Sequence, residues 1–142
     1  MGKDVLVTIK ATRRDPWNDS EIIELTSPGT FYRKNDCYYI LYKETELSGL
    51  DDVSTTLKVE GSSVTLIRNG SINMRQVFEQ GQTHRSLYQN TLGCMEMAVK
   101  PWNIEVDLTD FGGSIKLEYE LELDGAALGV NSLEIAVKEK KL

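Results

Sequence analysis

Three short runs set a polar side chain at the same alternation as apolar neighbours. In VTLIRNG, Arg68 shares the parity of Val64 and Leu66; in INMRQVF, Gln76 sits between Met74 and Phe78; in CYYILYKE, Tyr38, Tyr42 and Glu44 share a face with Ile40. If these runs are strands, successive side chains point to opposite faces, so the polar members point where the apolar ones do. A buried charge without a partner costs several kcal/mol. An inward Arg68 therefore calls for a carboxylate such as Glu44, with the Tyr42 or Tyr88 hydroxyl completing the cluster. Such a set suits recognition of a small molecule or, with a perturbed glutamate, general acid–base chemistry. The competing reading has Arg68 snorkelling to water from a strand end and Gln76 at a bulge. The aromatic segment Phe31, Tyr32, Tyr38, Tyr39, Tyr42 has the same two readings, core or stacking platform.

Other chemistries lack their residues. His84 is the single histidine, so HExxH and multi-histidine zinc sites cannot form within one chain. Beside Gly81 it reads as an exposed turn residue. No GxSxG elbow, Walker loop or GxGxxG loop occurs. The acidic series Glu118, Glu120, Glu122, Asp124 alternates along a strand, which spreads carboxylates ~7 Å apart, whereas calcium loops gather ligands tightly. It reads as a solvated outer face, and no metal or cofactor is expected. Cys37 and Cys94 have no CxxC or disulfide-framework spacing and read as reduced, buried thiols.

These side chains need strands to position them, and period two is the dominant pattern along the chain. SIKLEYELELDG puts Ile115, Leu117, Tyr119, Leu121 and Leu123 on one face, and Leu133, Ile135 and Val137 alternate in the closing run. With Gly125 to Gly129 as the turn, the two form a hairpin. Its expected register sets Leu121 against Ile135 and Glu118 against Lys138, which avoids opposing Lys116 to Lys138. Upstream, Val5, Val7 and Ile9 alternate; EIIELTS and FYRK flank a Ser27-Pro28-Gly29 turn; CYYILYKETEL is a longer strand; VSTTLKVEG and SVTLIRNG pivot at Gly61. Asn69-Gly70 is the strongest two-residue hairpin signal. INMRQVFEQG, THRSLYQNT, CMEMAVK and WNIEVDL follow, for about ten strands. Pro16, Pro28 and Pro101 stand at the edges of runs. The 142 residues thus predict one all-β domain, a sandwich or barrel.

Composition narrows the partners. Sixteen Lys and Arg against 22 Asp and Glu leave a net charge of −6, and the C-terminal lysines make the body more negative still. Nucleic-acid affinity comes from neutralising phosphates, so DNA, RNA and anionic membranes are not expected partners. The N-terminal run lacks an apolar signal segment and a myristoylation pattern, which predicts a cytoplasmic protein in which Asn18-Asp19-Ser20 and Asn69-Gly70-Ser71 carry no glycan. Closed edges and net charge predict a monomer or weak dimer.

YYILYKE, TTLKVEGSSVTLIRNG, MRQVFEQGQTHRSLYQNTLG and KLEYELEL together resemble the YwiB-like proteins, a family of uncharacterised bacterial β-barrels. The resemblance runs over roughly residues 5 to 138 and is most specific from Val53 to Gly93. It implies a closed, mostly up-and-down barrel of calycin type, lipocalin-like in architecture, with 8 to 10 strands. It implies no reaction and supplies no catalytic residues. Two departures are visible: Asn90-Thr91-Leu92-Gly93 lacks the proline usual in that turn, and no Gly-x-Trp signature surrounds Trp17. Three functions stay open: a small-molecule binder using Arg68, Gln76, Tyr42, Glu44 and Tyr88 at a barrel mouth, a filled interaction module, and an enzyme built on Arg68, Glu44 and tyrosines.

Overall fold

The computed structural model describes residues 2–14, 20–43 and 53–140. These form ten strands and no helix: β1 Lys3–Arg14, β2 Ser20–Lys34, β3 Cys37–Lys43, β4 Val53–Glu60, β5 Ser63–Gly70, β6 Asn73–Phe78, β7 His84–Asn90, β8 Gly93–Thr109, β9 Gly112–Leu123 and β10 Ala126–Glu139. Each pairs antiparallel with its chain neighbour, and β1 pairs β10, which closes the barrel. An even number of strands permits that closure without a parallel seam. The end where Lys3 begins β1 is the near end; the end where Arg14 finishes it is the far end.

Alternation decides which row faces inward. Val5, Val7, Phe31, Ile40, Leu57, Val59, Val64, Phe78, Ile115, Leu117, Ile135 and Val137 are all essentially inaccessible to solvent. They fill the near and middle levels of the lumen. Outside, complementary charges meet across strands: Lys10 faces Glu24 and Glu134, and Lys116 faces Glu134 and Glu105. The acidic series of β9 lies on this outer wall. Glu118 accepts a bond from Asn103 Nδ2 at 2.8 Å, Glu122 pairs with Lys100 at 3.2 Å, and Asp124 caps the Glu96 amide at 2.8 Å.

Several expected turns lie elsewhere, and parity explains why. A two-residue turn at Asn69-Gly70 would set Leu66 opposite Asn73 and turn the apolar row of β6 outward. Asn69 and Gly70 instead remain in β5, the turn falls at Ser71-Ile72, and Leu66 faces Gln76. In the last hairpin the turn is Asp124-Gly125, both at positive φ (49° and 82°), as a type I′ turn requires. That tight turn alone would give the wrong parity. A bulge between Ala127 and Gly129 restores it, so Leu117 faces Leu133 and Lys116 faces Glu134, in neither of the expected registers.

Ser27-Pro28-Gly29 is no turn: β2 runs through it without interruption. Continuing the β2–β3 register sets Pro28, which has no N–H, opposite Lys43, and the Ser27 hydroxyl donates to the Lys43 carbonyl at 3.2 Å instead. CMEMAVK and WNIEVDL likewise fuse into β8, with a bulge at Trp102 just beyond Pro101. Pro28 and Pro101 thus lie inside strands, at points where a neighbouring ladder ends or shifts. Cys37 is buried, but Cys94 is exposed, contrary to the expected buried pair.

Candidate functional site

The inward row at one level of the wall runs Tyr42, Thr55, Arg68, Met74, Tyr88, each the register partner of the next across β3 to β7. At ~4.8 Å per strand, Tyr42 and Tyr88 stand roughly 19 Å apart along the curved wall, with Arg68 midway. Tyr42 is buried, while Arg68 and Tyr88 are half-buried. Tyr42, Thr55 and Arg68 each make interactions of their own. Glu44, the expected counter-ion of Arg68, lies outside the described residues.

Gln76 does not belong to this row. It sits one level nearer the middle, with no accessible surface, and all of its polar atoms are committed. Ser86 Oγ donates to Oε1 at 2.6 Å, while Nε2 donates to the His84 carbonyl at 3.0 Å and to His84 Nδ1 at 2.7 Å. The Val77 amide also donates to Nδ1, at 3.3 Å. The reason is a gap in the ladder. Strands β6 and β7 pair only at Asn73–Gln89 and Met74–Tyr88, so Val77 N–H and His84 C=O would otherwise lack partners in a partly buried seam, which is costly. Gln76 and the His84 ring replace the missing ladder bonds. Gln76 is therefore neither at a bulge nor available to a ligand, and His84 is a half-buried strand residue rather than an exposed turn residue.

Across the lumen, Tyr119 on β9 meets Phe78 edge-on, with ring centroids 4.9 Å apart at 65°. Burial pushes the Tyr119 phenol above its ordinary value, and the Arg68 charge, acting across the lumen, opposes that shift. The native state thus keeps the phenol protonated where the unfolded chain, titrating near 10.0, ionises it, so stability is intact below that pH and is lost as pH rises above it. Tyr119→Phe removes this loss. Measured by urea unfolding, the stability of the variant relative to the unmodified protein should improve between about pH 8 and pH 11; a difference independent of pH would disprove the assignment.

The two mouths differ. At the near end, the Asp110 tip of the β8–β9 hairpin folds over the opening. Its Oδ1 accepts from the Tyr38 hydroxyl at 3.2 Å and pairs with Arg33 at 3.4 Å, while its carbonyl accepts from Lys3 Nζ at 2.7 Å. Phe31 stacks on Tyr38 beneath this clasp, at 5.4 Å, so these members of the aromatic segment serve as core and cap. At the far end a cavity of about 290 Å³ is lined by Arg13, Glu21, Ile23, Tyr119, Asn131 and Leu133. Asn131 has the parity of Leu133, Ile135 and Val137, a signal present in the sequence though not among the expected site residues. Among the described residues, no three His, Cys, Asp or Glu side chains gather as a metal site would require.

A family described as "Domain of unknown function (DUF1934)" matches residues 7–135. The chain belongs to this DUF1934 family. A relative within reach of sequence comparison is the "Uncharacterized beta-barrel protein YwiB" of Bacillus subtilis (strain 168), 28% identical over 119 residues, which cover 84% of this chain and 82% of that one. The crystal structure of the ywiB protein from Bacillus subtilis superposes with a TM-score of 0.89 at 24% identity, covering 99% of this chain and 94% of that one. That likeness shows the fold, and it places the DUF1934 chain among uncharacterised β-barrel proteins, as the sequence resemblance implied. Among the described residues no helix is long and apolar enough to cross a membrane.

Proposed function

We propose that this DUF1934 barrel binds a small organic molecule at its far mouth, between Arg68 and Tyr88 on one wall and Tyr119 and Asn131 on the other. The observation that carries the reading is the distribution of inward polarity. The near and middle levels are filled by apolar side chains, with Gln76 fully committed, whereas Tyr42, Thr55, Arg68 and Tyr88 share an inward row on the far halves of their strands, beside buried Val53 and Met74, and Tyr119 and Asn131 line a cavity of about 290 Å³. Ligand sites combine apolar walls with a few convergent polar groups in this way. A leucine at an inward position would gain roughly 1.5–3 kcal/mol on full burial, so an inward arginine is retained at a cost in stability. The net charge of −6 disfavours nucleic acid as the occupant, and we read the protein as a cytoplasmic monomer or weak dimer.

Arg68→Leu tests this reading. Native mass spectrometry of freshly purified protein is expected to detect a co-purifying small molecule on the unmodified chain and none on the variant, whose melting temperature is unchanged or raised. A large drop in melting temperature with ligand occupancy retained would make Arg68 a structural ion-pair partner. The barrel would then be better read as a filled interaction module, a reading favoured by the continuous cluster of buried apolar side chains in its lumen.

A further inference from the structure

Asn131 is 8% exposed, and among the described residues its Nδ2 has no hydrogen-bond partner. Leucine would suit this place, because the residue continues the inward row of Leu133 and Ile135, and it would not leave a buried donor unsatisfied, which is a loss of free energy. Asn131 is one of the residues that line the far cavity. Its register partner on β1 is Arg13, which lines the same cavity. Ile23, Leu133 and the Tyr119 ring, held by its edge-on contact with Phe78, form the apolar wall. The chemistry missing from this arrangement is an acceptor, and beside a guanidinium the acceptor it suits is an anion.

We propose that the far mouth takes a small monocarboxylate with an aliphatic body, the carboxylate received by Asn131 Nδ2 and the Arg13 guanidinium and the body lying against Ile23, Leu133 and Tyr119. This rests on the reading of the far mouth as a binding site and names the class of ligand. Glu21, the register partner of Arg13 on β2, lines the same rim. Its charge repels dianions such as phosphate monoesters, and it can accept an ammonium group, so amino acids with aliphatic side chains fall within the class while simple amines do not.

The test titrates the full chain with 4-methylpentanoate, leucine, 4-methylpentanamide and 3-methylbutylamine, following by NMR the backbone amide resonances of β1 and β10, and in the unmodified protein also the Asn131 side-chain amide. Saturable shifts are expected with the two carboxylates, binding at least about ten-fold weaker with the neutral amide, and none with the amine. Asn131→Leu should melt at the same temperature or higher, because a buried unpaired donor is removed, yet bind 4-methylpentanoate at least about ten-fold more weakly. Asn131→Asp, which sets a like charge against the ligand, should lose binding similarly. Binding of the carboxylate within about two-fold of the unmodified protein in both folded variants would overturn the assignment. So would the absence of saturation by either carboxylate: if native mass spectrometry still detects a co-purifying molecule, only the ligand class fails, and if it detects none, the binding reading fails with it.

Discussion

Gln76→Leu is expected to lower the melting temperature by about 10 °C, although it replaces a polar side chain in a barrel interior with an apolar one of similar size. The substitution strands groups that the backbone cannot satisfy. Ser86 Oγ loses its acceptor and the His84 carbonyl loses its donor, and each partly buried group left unpaired costs about 1–3 kcal/mol. The apolar gain on burying leucine, roughly 1.5–3 kcal/mol, offsets only part of this, because Gln76 already excludes water with its methylenes. A net loss of about 3 kcal/mol corresponds to about 10 °C for a domain of this size. Thermal unfolding followed by circular dichroism measures it directly, and amide exchange adds a local readout: Val77, which donates to His84 Nδ1, should lose protection more than residues of β1 or β10. A variant melting within about 2 °C of the unmodified protein would mean that the β6–β7 seam draws its stability from packing alone.

This seam marks the boundary of what could be read from the residues. Alternation identified the inward rows, because burying one face of a sheet allows only one parity. Arg68, Gln76, Tyr42 and Tyr88 do carry inward parity, and Tyr42, Arg68 and Tyr88 fall on one cross-strand row. What alternation does not contain is where a ladder stops. Gln76 looked like a site residue because an inward amide is unusual, and only the gap between β6 and β7 reveals that it and the His84 ring together replace the missing ladder bonds. The turns failed for a related reason. Asn69-Gly70 is a strong local signal, but it loses to the requirement that Leu66 and Gln76 share the interior, while Asp124-Gly125 works only because a bulge at Leu128 corrects the parity that follows. Asn131 was legible in principle. It opens a run whose apolar members, Leu133, Ile135 and Val137, drew attention first.

The near mouth depends on a feature of the backbone that no side-chain pattern announces. Gly112 and Gly113 follow the Asp110-Phe111 tip with φ of 120° and 140°, a region that only glycine occupies without strain. Gly113 is also gripped from both sides, opposite Leu108 on β8 and Val137 on β10. A Cβ there would overlap the carbonyl oxygen of Asp107, with Leu108 Cα at 3.0 Å, and one on Gly112 would overlap the carbonyl oxygen of Val137. All of these are backbone atoms of a closed sheet, so none can move without breaking ladder bonds. Gly113→Ala is therefore expected to cost more than about 3 kcal/mol, from backbone strain of about 1–3 kcal/mol plus the displacement of β8 from β9. The melting temperature should fall by more than about 10 °C. The displacement also carries the hairpin tip away from Arg33 and Tyr38, so the clasp that Asp110 makes over the near mouth should open with it. Tyr38→Phe separates the two effects: it removes the exposed 3.2 Å bond to Asp110 without touching the backbone, and should change the melting temperature by less than about 4 °C, the equivalent of about 1 kcal/mol. Comparable losses in the two variants would place the stability of this end in the clasp rather than in the glycine geometry, and a Gly113→Ala protein as stable as the unmodified one would contradict the close approach of β8 to β9.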